Sequence, residues 1–182
     1  MNRFVIAEPD KCIGCRTCEV ACVLAHPVGA QKGMALSAEN FNPRLRLVKN
    51  LTLTAPVQCR QCENAPCVNV CPTGALVYDR NTVQLLVERC IGCQSCVIAC
   101  PFGAMEMVRR PVREQNLGPL KVKSTVSVAQ KCDLCVDVET GPACMAVCPT
   151  KALHLVDPEA VQDKTRRKRE KSAFNMPTDA FR

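Results

Sequence analysis

Apolar and polar positions alternate only in short stretches along this chain. Arg3 to Ala7 and Ser124 to Val128 carry a two-residue period and read as strands. Leu76–Tyr78 and Val83–Val87 flank Asp79-Arg80-Asn81 and read as a hairpin, as do Arg44–Val48 and Leu51–Thr54. Residues 108–123, rich in arginine, proline and glycine, read as a linker or surface loop. Asp157-Pro158-Glu159 starts a helix, with a capping aspartate and proline at the first helical position. That helix carries the basic run Lys164 to Lys171. The elements are small, and none supplies a long apolar face.

Composition explains how so little periodicity can still give a fold. Of 182 residues 47% count as hydrophobic, but sixteen of those are cysteines and only six residues are aromatic. A chain so poor in large apolar side chains has difficulty building a core by burial alone. An inorganic filling is expected.

The cysteines form four quartets with none left over. Cys12, Cys15, Cys18 and Cys22 are spaced C-x2-C-x2-C-x3-C, and Cys90, Cys93, Cys96 and Cys100 repeat that spacing. Cys59, Cys62, Cys67 and Cys71 widen one gap to four, and Cys132, Cys135, Cys144 and Cys148 contain an eight-residue loop. Cys71-Pro72-Thr73-Gly74-Ala75-Leu76, Cys100-Pro101-Phe102-Gly103-Ala104-Met105 and Cys148-Pro149-Thr150-Lys151-Ala152-Leu153 are one repeated phrase. Ile-Gly also recurs between Cys12 and Cys15 and between Cys90 and Cys93. Each three-residue gap before a fourth cysteine suits one helical turn, which the following proline stops. The first quartet departs from this, with Val23 where proline is expected.

A [4Fe–4S] cube needs one thiolate per iron, and the first and third quartets have the bacterial ferredoxin spacing. The fourth cysteine of such a run ligates the neighbouring cluster in two-cluster ferredoxins. The short hairpin between Cys71 and Cys90 pairs the second quartet with the third, leaving the first with the fourth. The expected ligand sets are Cys12, Cys15, Cys18 with Cys148; Cys132, Cys135, Cys144 with Cys22; Cys59, Cys62, Cys67 with Cys100; and Cys90, Cys93, Cys96 with Cys71. Zinc also takes four thiolates, but four quartets with three Cys-Pro endings speak against it. A disulfide scaffold is disfavoured in a chain that opens without a secretory signal.

Charge changes meaning once metal is counted. The formal +7 suggests nucleic acid or membrane, yet each cube with its thiolates contributes about −2, bringing the loaded chain to about −1. The basic side chains then balance cluster charge, and no aromatics accompany Lys164–Lys171 to stack on bases. That run is a solvated helix face or a docking patch for an acidic partner. No stretch approaches the roughly 20 apolar residues of a membrane span, so a cytoplasmic location is expected. His26 and His154 are the only histidines and read chiefly as surface or packing groups rather than ligands or proton shuttles. Phe102, Met105 and Met107 are expected in the core or shielding a cluster. No phosphate-cradling loop, Ser/His/Asp arrangement or open metal position is evident, and a non-catalytic protein is expected.

The chain resembles the four-cluster, ferredoxin-like electron-transfer subunits of molybdenum and tungsten oxidoreductases. It is most similar to those serving formate dehydrogenase in formate hydrogenlyase and hydrogen-dependent CO2-reducing assemblies. The resemblance is carried by residues 1–7, Cys12-Ile13-Gly14-Cys15-Arg16-Thr17-Cys18-Glu19, Cys59 through Cys67, Lys131-Cys132-Asp133-Leu134-Cys135 and Gly141-Pro142-Ala143-Cys144. It implies an α+β fold of two ferredoxin-like modules with pseudo-twofold symmetry and a roughly linear row of four [4Fe–4S] clusters. The outer module would be residues 1–58 with 108–156, the inner 59–107, and 157–182 a basic helix and tail. It also implies a molybdenum- or tungsten-pterin formate dehydrogenase catalytic subunit as one partner, and a hydrogenase or second iron–sulfur subunit as the other. Three functions follow: a fixed wire between those partners, a dissociable carrier or maturation helper, or a mainly structural metal module.

Overall fold

A computed structural model describes residues 2–27, 36–38, 40–111, 115–117, 120–122 and 125–174. The fold is α+β, built from two-stranded antiparallel ribbons and short helices between them. In chain order the strands are β1 (Phe4–Ala7), β2 (Leu45–Lys49), β3 (Thr54–Gln58), β4 (Leu76–Asp79), β5 (Thr82–Leu85), β6 (Glu106–Pro111), β7 (Gln115–Leu117), β8 (Leu120–Val122), β9 (Thr125–Gln130) and β10 (Leu153–Val156). The helices are α1 (Thr17–Ala25), α2 (Pro66–Asn69), α3 (Ser95–Ala99), α4 (Ala143–Ala146) and α5 (Pro158–Phe174).

β1 pairs with β10, Phe4 opposite Val156 and Ala7 opposite Leu153. The strand before the first quartet thus lies against the strand after the fourth, and α1 packs on α4. Val5, Leu45, Leu134 and Leu153 form one small core with Cys18, Cys22 and Cys144. A second core joins Leu76, Val83, Met105 and Ala129 to Cys67 and Cys96. In both, cysteines take positions that large apolar side chains occupy elsewhere. Met105 is buried as expected, whereas Phe102 is 46% exposed and lies outside the core.

The expected hairpins form, with two corrections. β4 and β5 meet at Arg80 and Asn81, both at positive φ (49° and 57°), the conformation a two-residue turn needs between right-twisted strands. Of the expected strand 51–54, Leu51 and Thr52 are instead a bend, Leu53 is irregular and only Thr54 is strand. The Asn50 side-chain oxygen accepts from the amides of Thr52 (3.0 Å) and Leu53 (2.6 Å), so pairing with β2 begins only at Thr54. Of residues 108–123, expected as a linker or surface loop, those that are described lie in strands. β6 pairs with β9 from Glu106↔Gln130 to Pro111↔Thr125, and β7 pairs with β8 in a separate two-stranded sheet. Main-chain pairing overrides the arginine- and proline-rich composition there. Ser124, the expected start of β9, lies outside the described residues.

α5 begins as its sequence requires, with Asp157 Oδ1 accepting from the Glu159 amide at 3.0 Å. It buries no residue, so its stability comes from its cap and from pairs such as Arg166 with Asp163 at 3.1 Å. No helix among the described residues is long and apolar enough to cross a membrane.

With cores this small, metal binding must supply much of the folding free energy. Chelating the iron under anaerobic conditions should abolish most native secondary structure while leaving α5 partly helical, measured by far-UV circular dichroism. A metal-free chain with an unchanged spectrum would contradict this account.

Candidate metal centres

The repeated phrase Cys-Pro-x-x-Ala is a sulfur-capping turn. After Cys71, Cys100 and Cys148, proline prevents further helix. Gly74, Gly103 and Lys151 then turn the chain at positive φ of 59°, 59° and 51°. This aims the amides of Ala75, Ala104 and Ala152 back at the three sulfurs, at 3.3, 3.4 and 3.3 Å. The first quartet has Val23 instead of proline, and there α1 runs on to Ala25. Its Cys22 takes its amide from a distant segment, Arg44 N at 3.2 Å.

Cys-Ile-Gly-Cys is a second such device. Gly14 and Gly92 sit at φ of 71° and 72°, and Arg16 and Gln94 follow in the left-handed region just before α1 and α3. A Cβ on Gly92 would lie 2.5 Å from the Ser127 carbonyl oxygen of β9, and one on Gly14 would lie 2.9 Å from the Thr54 methyl. The glycines therefore permit close approach of the loop to a neighbouring ribbon. Thr17 donates its hydroxyl to Cys15 Sγ at 3.2 Å and, with its amide, holds that thiol below its usual value. Ser95 does the same for Cys93.

All sixteen thiols are free, and the fold gathers them from separated elements. One cavity is lined by Cys12, Cys15, Cys18 and Cys148, another by Cys71, Cys90, Cys93 and Cys96, and a third by Cys22, Cys132, Cys135 and Cys144. Burial pushes Cys67 up to about 11, and the neighbouring Cys59, Cys100 and Cys62 add to that effect. Burial likewise raises Cys18 and Cys22 to about 11 and Cys144 to about 12, and it pushes Cys132 up as well. Buried thiols of this kind carry protons that iron must displace, which ties cluster loading to proton release. Four-sulfur groups with amides aimed at the sulfur fit the [4Fe–4S] donor set. Cys15 and Cys93 reach the surface, whereas Cys135 and Cys144 are buried.

The histidines separate. His154 Nε2 contacts Glu8 Oε1 at 2.7 Å, a surface pair. His26 is half-buried, its Nε2 3.3 Å from Cys135 Sγ and 3.4 Å from Asp133 Oδ1. Burial, helped by Arg44, lowers the His26 pKa. Burial opposes ionisation of Asp133, but Arg44 and His26 outweigh it and hold the carboxyl below its usual range. Sequence reasoning gave no role to three buried polar residues beside the sulfurs. Glu19 accepts from the Leu47 amide at 2.8 Å, while Gln61 and Lys131 bond to each other. Their only signal was polarity next to a ligand cysteine.

Comparison with known proteins agrees with this geometry. Residues 51–158 match the 4Fe-4S dicluster domain, and residues 11–76 match a second 4Fe-4S dicluster domain. The chain therefore belongs to the 4Fe–4S dicluster family, and it is a ferredoxin-like electron-transfer protein with four [4Fe–4S] clusters on sixteen cysteines. It is 50% identical over 174 residues to the electron transport protein HydN of Escherichia coli K12, covering 96% of this chain and 99% of that one. The putative electron transport protein YsaA of the same organism is 48% identical over 162 residues, 89% of this chain and 94% of its own. The putative oxidoreductase AegA is 42% identical over 173 residues, which are 95% of this chain but 25% of that longer one.

Two measurements follow. Anaerobically purified protein should contain about sixteen irons and as many labile sulfides per chain. Gly92→Ala combines an unfavourable φ with a backbone clash and should lower iron to about twelve, whereas Gly14→Ala, facing a movable methyl, should lose less. Full iron content in Gly92→Ala would refute the close-approach explanation.

Proposed function

We propose that this protein relays electrons between a molybdenum- or tungsten-pterin formate dehydrogenase catalytic subunit and a hydrogenase or other redox partner. The observation carrying this reading is that two separate sulfur groups reach the surface, at Cys15 and at Cys93, while Cys135 and Cys144 lie buried. Bound clusters accept and release one electron each. Two exposed ends joined through a buried middle suit entry at one partner and exit at another. The formate and hydrogen partners come from the family resemblance carried by the motifs around Cys12, Cys59 and Cys132.

The ligand sets proposed are Cys12, Cys15, Cys18, Cys148; Cys132, Cys135, Cys144, Cys22; Cys59, Cys62, Cys67, Cys100; and Cys90, Cys93, Cys96, Cys71. The cavity linings and the mutual effects of Cys59, Cys62, Cys67 and Cys100 support them. Two modules follow from these sets, an outer one of residues 1–58 with 108–156 and an inner one of 59–107, related by a pseudo-twofold. The β1–β10 pairing and the two separate cores favour that division. All sixteen cysteines are engaged as ligands, so the protein carries charge without catalysing a reaction of its own. Thiols in such number point to a reducing, cytoplasmic setting.

A fixed wire is favoured over a dissociable carrier because one or two clusters suffice for a shuttle. AegA, in which the similar region is a quarter of a longer chain, also favours permanent attachment. The basic α5, which buries no residue, supplies a surface for an acidic partner, an attraction that salt weakens.

Two experiments test these readings. Cys71→Ser should damage the cluster held by Cys90, Cys93 and Cys96, seen as loss of one electron paramagnetic resonance signal and about four irons; Cys71 found on the same cube as Cys59 would refute the pairing. Deleting the subunit should collapse formate-linked hydrogen production while formate oxidation with an artificial dye largely survives. Loss of both activities would indicate a maturation role, and loss of neither would remove the protein from that pathway.

A further inference from the structure

Lys131 is 3% exposed, and among the described residues its ammonium meets no carboxylate. Its Nζ donates to the Cys132 carbonyl at 2.7 Å, to the Val83 carbonyl, and to Gln61 Oε1 at 3.4 Å. Dipoles alone compensate a buried ammonium poorly, and such a group persists where opposite charge lies close.

Gln61, itself 1% exposed, fixes the site. Its Nε2 donates to the Cys132 carbonyl at 2.9 Å, and its Oε1 accepts from the Val83 amide at 2.8 Å. Its own amide approaches Cys59 Sγ at 3.5 Å. This polar knot ties three segments together: the loop between Cys59 and Cys62, strand β5, and the residue before Cys132. The cation is thereby clamped between the second-quartet and fourth-quartet sulfurs, and its charge acts on Cys62, Cys67 and Cys132.

We propose that Lys131 is a shared, fixed counter-charge for the two clusters that meet at this joint, selectively raising their reduction potentials and so favouring electrons in the buried middle of the protein. The inference rests on the ligand sets proposed above. Net charge near a cluster is one of the levers that set its potential. Reduction adds one electron and no proton, so each of these clusters becomes more negative by one charge, and a clamped cation favours that state. Cys15 and Cys93 have no part in the knot's hydrogen bonds, so the clusters there feel its charge least.

The test is an electron paramagnetic resonance-monitored redox titration of the loaded full-length chain with dithionite, with iron counted in every sample. Lys131→Met removes the charge and keeps the length. Gln61→Glu keeps Lys131 and sets a carboxylate within reach of its Nζ. Each should lower two of the four midpoint potentials and leave the other two unchanged, at about sixteen irons per chain. A loaded variant with all four potentials unchanged, or all four shifted equally, overturns the proposal. If both variants lose iron, Lys131→Arg decides. Iron and potentials retained with arginine support the charge role; iron lost there too shows that Lys131 only packs. Wild-type protein without four reducible clusters, or Cys71 on the Cys59 cube, would instead refute the ligand sets and leave the Lys131 measurement to be read on its own.

Discussion

Holding sixteen thiolates in four groups of four is the constraint from which the rest of this fold follows. Sulfur brought close to sulfur is repulsive once ionised and costly to bury, so the chain must answer each group with metal and with hydrogen-bond donors. The donors are mostly main-chain amides rather than long side chains. Ala75, Ala104 and Ala152 serve three sulfurs through one repeated turn, and Arg44 serves Cys22 from elsewhere in the chain. This division of labour explains why the ribbons are only two strands wide. They position turns and loops around sulfur and need not enclose a large apolar interior.

The same constraint accounts for what sequence made visible. Spacing between cysteines is a local property, so the quartets, the repeated Cys-Pro phrase and the hairpin at Arg80-Asn81 could be read directly, while the sulfur-capping role of the phrase emerged from the fold. Val23 marked the one place where the phrase breaks, and the chain responds there with a longer α1 and a remote donor for its sulfur. The turn at Asn50 was harder to see. It depends on one side-chain oxygen capturing two amides, which an alternating Leu51–Thr54 stretch conceals. Strand β6 was hidden for a different reason. Its arginines and proline disfavour strand locally, and only the partner β9, distant along the chain, makes the pairing worthwhile.

Lys131 and Gln61 were illegible for a third reason. A lysine before a cysteine and a glutamine between two cysteines look like ordinary solvated residues in one dimension. Their meaning arises because Gln61 and Lys131, seventy positions apart, meet at Val83 on a third element. Buried polar networks that join segments distant in sequence leave no periodic trace, yet they decide what field a bound cluster feels. His26 is a milder example. Its proximity to Cys135 and Asp133 depends on the long α1 that Val23 permits.

Surface and interior consequently divide two tasks. Exposed Cys15 and Cys93 sit on glycine loops flanked by exposed Ile13 and Ile91, so any partner approaching there meets sulfur and apolar surface together. The basic charge of α5 lies on a helix that buries nothing, where it is screened by salt and free to act at longer range. Interior charge behaves oppositely. A cation that cannot reach water is barely screened, and its influence depends on where the fold clamps it rather than on ionic strength. The net charge of the sequence merges these two populations and therefore describes neither. On the proposals above, encounter falls to the solvated basic side chains and cluster energetics to the few charged groups the fold buries beside sulfur.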